Sequence, residues 1–356
     1  MTQPGILDGA PTGARPGTPA GALIDAASDL AFGQVVGLRL DAQEHRDLAA
    51  IAQRLAAQPP GLVDDARWLA AARDLSAELP LRLRQCLRRF ATDAGAEAML
   101  LLRNLPVAAD KLPDTPSHAD SVQRGSTVPA SVLTLIALSL GEPVAFREEK
   151  SGALVQDVVP VPGMETFPGN AGSVPLSAHV ENAFHPHRPD IVGLCCLRSD
   201  HDNRAGLQVA SIRRALAHLT EEARSVLGEA RFRTAAPASF GPLGTTAPAH
   251  PVLAGDPADP DLIVDFESTA PVDEAAAAAL RELAAALHAV RRTVVLAPGD
   301  LALVDNRLAT HGRTAFAARY DGRDRWLQRV FIHRDFRRSR ALRPGGGHVL
   351  TSRPGD

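Results

Sequence analysis

Aromatic side chains are scarce: Tyr occurs once, Trp twice and Phe 11 times, 4% of the 356 residues. Ala, Leu and Val must therefore fill the core, which the 45% hydrophobic content permits. Cysteine is almost as rare. Cys86, Cys195 and Cys196 are odd in number and lack a metal-type spacing, so no disulfide framework is expected, and the adjacent pair reads as small buried residues in a strand. Charge of one sign is missing too: the net charge is −3 with both signs interspersed, which gives no reason to expect nucleic acid or an anionic membrane as partner. Finally, no apolar run approaches the roughly 18 residues of a membrane span, and the first residues lack a basic segment followed by an apolar one. A soluble, cytoplasmic protein with no obligate protein partner is expected.

Residues 1–20 are rich in Gly, Pro, Thr and Ala and should form a disordered tail, because they bury too little to offset the entropy of ordering. Residues 21–340 read as one domain, followed by a flexible tail over 341–356. Its front, 41–140, is mostly helical. Leu48, Ile51 and Leu55 recur at helical spacing after Asp41, a capping residue, and Pro59-Pro60 ends the run. Further helices are predicted over 63–75, 79–94 and 131–140, with an apolar strand over 98–105. After Gly141 the texture changes. Short β-type runs recur between turn residues (144–147, 154–159, 191–197, 207–212, 231–234, 262–266, 293–296, 301–304 and 326–333), interrupted by helices over 212–227 and 272–291. Many short strands imply a sandwich or barrel, here flanked by helices over 141–340.

Chemistry concentrates in Ser177-Ala-His179-Val-Glu181-Asn-Ala-Phe-His185-Pro-His-Arg188-Pro-Asp190, just before the apolar run 191–197. If the stretch enters a strand, residues two apart share a face, and the His179 imidazole and Glu181 carboxylate converge. One imidazole and one carboxylate are two thirds of the 2-His-1-carboxylate triad that binds Fe(II) and leaves open positions. The plainer reading of a His-x-Glu frame is a solvated pair, and a third ligand is needed to displace it. His311 is the candidate, since it follows the short strand 301–304 and precedes Gly312, which permits close backbone approach. Downstream, alternation over Arg325-Trp-Leu-Gln-Arg329 puts both arginines on one face. They line either a solvated edge strand or a pocket for two carboxylates, because arginine keeps its charge and suits bidentate anions.

These blocks, with Leu154-Val-Gln-Asp-Val-Val-Pro160, Val304-Asp-Asn-Arg307 and Arg319-Tyr-Asp-Gly322, resemble the clavaminate synthase-like group of iron(II), 2-oxoglutarate-dependent oxygenases, specifically its hydroxylases of free amino acids. The resemblance covers about 140–340 well and the helical front loosely. It implies an α+β fold with a mainly β core, a double-stranded β-helix (jelly roll) flanked by helices, with Fe(II) on His179, Glu181 and His311. 2-Oxoglutarate and O2 are the implied co-substrates, with Arg325 as the clamp for the far carboxylate. Within the group the match is to members acting on L-asparagine at C3 for nonribosomal peptide pathways, which implies substrate contacts from Glu149, Asn170, Asp265 and Arg329. Segments 161–172 and 236–260, rich in Gly and Pro, are expected to cover the site.

Two departures follow. Related hydroxylases carry Thr where Leu207 or Gln208 stands, which leaves the second 2-oxoglutarate anchor open. Arginine hydroxylases carry two acids around the Asp265 strand, and Ile263 stands at the first, which argues against a guanidinium substrate. Aspartate, glutamine, glutamate or a carrier-bound amino acid stay open as alternatives. So does a zinc hydrolase using the same two His and one Glu, although hydrolysis does not explain paired arginines.

Overall fold

A computed structural model describes residues 36–237, 239–240 and 248–351. The expected tail 1–20 therefore lies outside the described residues, as does part of the expected cover 236–260. In chain order the elements are β1 (Gly37–Arg39), α1 (Ala42–Ala56), α2 (Ala66–Ser76), α3 (Leu81–Thr92), β2 (Met99–Arg103), α4 (Val128–Leu138), β3 (Glu142–Phe146), β4 (Gln156–Val158), β5 (Leu176–His179), β6 (Ile191–Arg198) and β7 (Gly206–Ser211). Then come α5 (Ile212–Ala215), α6 (Glu221–Leu227), β8 (Phe232–Thr234), β9 (Leu253–Ala254), β10 (Asp261–Leu262), β11 (Thr269–Pro271), α7 (Glu274–Val290), β12 (Arg292–Val295), β13 (Leu301–Asp305), β14 (Ala309–Arg313), β15 (Trp326–His333) and β16 (Val349–Leu350).

The helices begin where the sequence places caps. Asp41 and Glu44 form a reciprocal capping box on α1, Asp65 caps α2 and Asp273 caps α7. α4 starts at Val128 rather than Ser131, because Thr127 accepts from the Ala130 N–H and Pro129 is tolerated in a first turn, whose N–H groups have no partner. It is buried from Pro129 to Ala137 and packs on α1, α2 and the strands β3, β6 and β15.

The large sheet runs β1-β2-β13-β6-β15-β3-β16, with β4 also on β15, and the small sheet runs β12-β7-β14-β5. These are the two sheets of the double-stranded β-helix. β1 and β2 are part of the large sheet, with β2 antiparallel to β13, so the helical front and the β core share one framework. β15 is buried along its whole length between β6 on one side and β3 and β4 on the other, which excludes the solvated edge strand. The β15–β6 register shifts between Trp326 and Leu327, with the extra residue, Leu197, on β6. Cys195 and Cys196 are free and buried in β6, as their adjacency suggests. The C-terminal stretch differs from expectation: Val349–Leu350 pairs with β3 and Leu350 is fully buried, so the chain packs through residue 351 instead of forming a tail from 341. No helix among the described residues is long and apolar enough to cross a membrane.

Candidate active site

β5 ends at His179, and β14 carries His311 directly opposite it in register. Gly312 permits that pairing. A Cβ there would lie 2.6 Å from the Leu176 carbonyl oxygen, so only glycine lets the two strands close. The imidazole centroids stand 4.4 Å apart. Glu181 reaches the same point by a different route than expected. It lies beyond β5, and its position is fixed by Asn306, whose Oδ1 accepts from the Glu181 N–H at 2.8 Å while Nδ2 donates to the Glu181 carbonyl at 3.1 Å and the Pro189 carbonyl at 2.9 Å.

The result is a cluster in which one ligand atom each from His179, Glu181 and His311 lies within 4.8 Å of the others. Nδ1 of His179 sits 2.8 Å from the Ser177 carbonyl, which leaves Nε2 with its lone pair inward. Burial, then His179, lowers the pKa of His311, so its ring is neutral near pH 7. Burial raises the pKa of Glu181, but Arg329 and then His311 outweigh it and hold the carboxylate ionised. Two imidazoles and one anionic oxygen suit a divalent iron with open positions.

Behind Glu181 stands Arg329. Its Nη1 donates to Glu181 at 2.9 Å, its Nη2 pairs with Glu149, and its Nε donates to Gln156 at 3.1 Å. Glu149, Asn170, Glu181 and Asn182 line one cavity of about 410 Å³, rimmed by Met164, Phe167 and Phe240. Segment 161–172 contributes Met164, Phe167, Gly169, Asn170 and Ala171 to its lining. Asp265 is not among the lining residues. It is not in a regular strand either: it makes an isolated bridge to His179, and its carboxylate accepts from the Glu267 N–H and the Ser268 hydroxyl. Arg325 is buried over the Phe316 ring and makes no hydrogen bond or ion pair with any described residue.

Sequence reading missed three site residues. Asn182 adopts φ +52°, faces the cavity and lies 3.4 Å from Glu149; an Asn directly after the candidate ligand was the available signal, since Asn tolerates that conformation. Gln156 and Asn306 sit inside quoted motifs, but as neutral amides they carried no chemical flag. A second His/carboxylate group, His201, Asp321 and Asp324, joins the turn before Arg325 to residue 201, with His201 Nε2 at 3.0 Å from Asp321.

The fold and site define an iron(II)- and 2-oxoglutarate-dependent oxygenase: the chain belongs to the taurine catabolism dioxygenase TauD, TfdA family, which it matches over residues 96–331. It is 52% identical to the L-asparagine oxygenase of Streptomyces coelicolor, over 88% of this chain and 95% of that protein. It is also 36% identical to clavaminate synthase 2 of Streptomyces clavuligerus, over 83% of this chain and 92% of the relative. Among solved structures, asparagine oxygenase in complex with Fe(II), 2S,3S-3-hydroxyasparagine and succinate superposes with a TM-score of 0.86 at 52% identity, over 88% of this chain and 99% of that one. Family membership sets the zinc hydrolase aside.

Proposed function

We propose that the protein hydroxylates free L-asparagine at C3, with His179, Glu181 and His311 holding iron(II) and Arg325 binding the far carboxylate of 2-oxoglutarate. The observation that carries the substrate reading is the cavity that Glu149 and Asn170 share with Glu181, with Arg329 paired to both acids. A free amino acid brings one ammonium and one carboxylate. Glu149 takes the ammonium and Arg329 the carboxylate, so the two groups that pair with each other each acquire a substrate partner, and a zwitterion leaves the net charge of the site unchanged. Asn170 offers an amide to the side-chain amide. Asp265, joined to His179 by its backbone bridge, is assigned to the outer end of that side chain.

When bound, iron(II) with 2-oxoglutarate and O2 supplies the oxidising chemistry that converts the C3–H bond to C3–OH. The protein's share is placement. Asn306 holds the Glu181 peptide, Ser177 orients His179, and the apolar rim of Met164, Phe167 and Phe240 keeps water from the bound substrate. The similarity to the asparagine oxygenase of Streptomyces coelicolor supports the same substrate.

The test is a panel of the common L-amino acids, free and carrier-bound, each scored for succinate release and for a product heavier by one oxygen atom. Free asparagine is expected to lead. Turnover of aspartate, glutamine, glutamate or a carrier-bound amino acid well above asparagine would overturn the assignment.

A further inference from the structure

Arg313 lies two residues beyond His311 on β14 and is 4% exposed. Against β7 the register is regular, with His311 opposite Val209, Gly312 opposite Gln208 and Arg313 opposite Leu207. Alternation therefore puts Arg313 on the face that carries His311. Its guanidinium stands 5.1 Å from the centroid of the Phe316 ring, and that of Arg325 stands 5.8 Å from the same centroid. Phe316 is held by its N–H on the Ser173 carbonyl at 3.0 Å, and it is buried.

Two buried guanidiniums share one ring, and neither forms an ion pair with any described carboxylate. Arg313 donates one hydrogen bond, Nη2 to the Val174 carbonyl at 2.8 Å, and its buried Nε has no partner among the described residues. Arg325 donates none. The carboxylate of Asp200 is taken by the Arg204 and Ala205 N–H groups, at 2.8 and 3.0 Å. Burying two like charges without a counter-ion is costly, because arginine does not deprotonate to relieve it. Such a pair is the signature of a site completed by an anion.

We infer that Arg313 is a second anchor for the far carboxylate of 2-oxoglutarate, acting with Arg325 around Phe316; the inference rests on the co-substrate reading above. Two strand residues advance about 6.6 Å, on the scale of an extended five-carbon diacid whose keto-acid end lies near His311. Leu207, directly across from Arg313, offers no donor, so the polar contact at this level of the small sheet comes from β14. Both guanidiniums lie within about 6 Å of the Phe316 centroid, which places their donors in one buried neighbourhood where a single carboxylate can be met.

The experiment uses the iron-loaded protein without O2, titrated with 2-oxoglutarate and, separately, with 2-oxovalerate, which chelates alike but has no far carboxylate. The visible absorption of the chelate gives each dissociation constant. For Arg313→Met, 2-oxoglutarate affinity is expected to fall about ten-fold or more, while 2-oxovalerate affinity is unchanged. Arg313→Gln, which retains a donor for the Val174 carbonyl, should show the same selective loss and decides the matter if the methionine variant does not fold. Unchanged 2-oxoglutarate affinity, or equal weakening of both oxo acids, overturns the inference. A wild-type protein that binds neither oxo acid overturns the co-substrate reading and the inference with it.

Discussion

Arg329 and Glu181 lie 2.9 Å apart, guanidinium to carboxylate, and both are buried. The arginine expected to receive substrate thus also neutralises the acid of the metal cluster, and its other Nη pairs with Glu149. One guanidinium pairs with two carboxylates, of which Glu181 is buried and Glu149 is partly exposed. Under the proposed substrate role of Arg329, recognition and the electrostatics of the candidate metal cluster run through a single side chain.

Arg325, just before β15, and Arg329, within it, should respond in opposite ways to neutralisation. Arg329→Ala strands the buried Glu181 carboxylate and is expected to cost roughly 3–5 kcal/mol of stability. Arg325 has no counter-ion, so Arg325→Met relieves a buried charge and should leave the denaturant midpoint unchanged or higher, while raising the KM for 2-oxoglutarate strongly. Arg329→Lys, which retains the charge, should instead raise the KM for asparagine. Urea unfolding with paired KM measurements checks all three, and equal effects of the Arg325 and Arg329 substitutions on both KM values would merge the roles separated here.

Asn306 is a positioning residue for the cluster. Asn306→Ala removes three hydrogen bonds at once and leaves the Glu181 N–H, the Glu181 carbonyl and the Pro189 carbonyl without partners. Loss of such outer support is expected to weaken metal binding about 10- to 100-fold. Titration with Fe(II) or Co(II) under anaerobic conditions measures it, and wild-type affinity in a folded variant would contradict the role.

Much of this was legible in the sequence, for physical reasons that differ by residue. His179, Glu181 and His311 carry donor chemistry that few residue types share, and the capped helices and β-type runs follow local rules. Glu149 and Asn170 came from resemblance and do face one cavity. What was not legible is long-range. The route by which Glu181 arrives depends on Asn306, 125 residues away. The register shift against β6, where Leu197 is the extra residue, has no local signal in the sequence. The packing of Leu350 against β3 gives order to a Gly- and Pro-rich end that composition alone reads as a tail.

Acid should loosen the sheet near His333. This side chain is fully buried at the end of β15, with Nε2 2.9 Å from the His187 carbonyl. Burial lowers its pKa to about 4, against the opposing pull of Asp190. The unfolded chain takes up this proton near pH 6.5 and the folded protein does not until about pH 4, so stability is full above the upper value and falls as pH drops between them. For His333 alone the loss at pH 5 is roughly 2 kcal/mol. Urea midpoints at pH 7 and pH 5 test this, and His333→Gln should flatten the difference; an equal slope in the variant would assign the acid sensitivity elsewhere.

Gly312 sets how closely the two histidine strands approach. An added Cβ would meet the Leu176 carbonyl oxygen at 2.6 Å and the Ser177 carbonyl oxygen at 3.3 Å, both backbone atoms that cannot rotate away. Gly206, in the neighbouring β7, is the control: its added Cβ would meet the Thr293 methyl at 2.5 Å, a side-chain rather than a backbone atom. Gly312→Ala must push β14 from β5 beside the His179–His311 pair, at a cost of roughly 1–3 kcal/mol, and should weaken metal binding. Gly206→Ala should destabilise less and hold metal as the wild type does. If both variants bind metal alike, strand approach at Gly312 does not set the ligand geometry; if only Gly312→Ala fails, a backbone contact with no side chain of its own is what brings the two imidazoles to one ion.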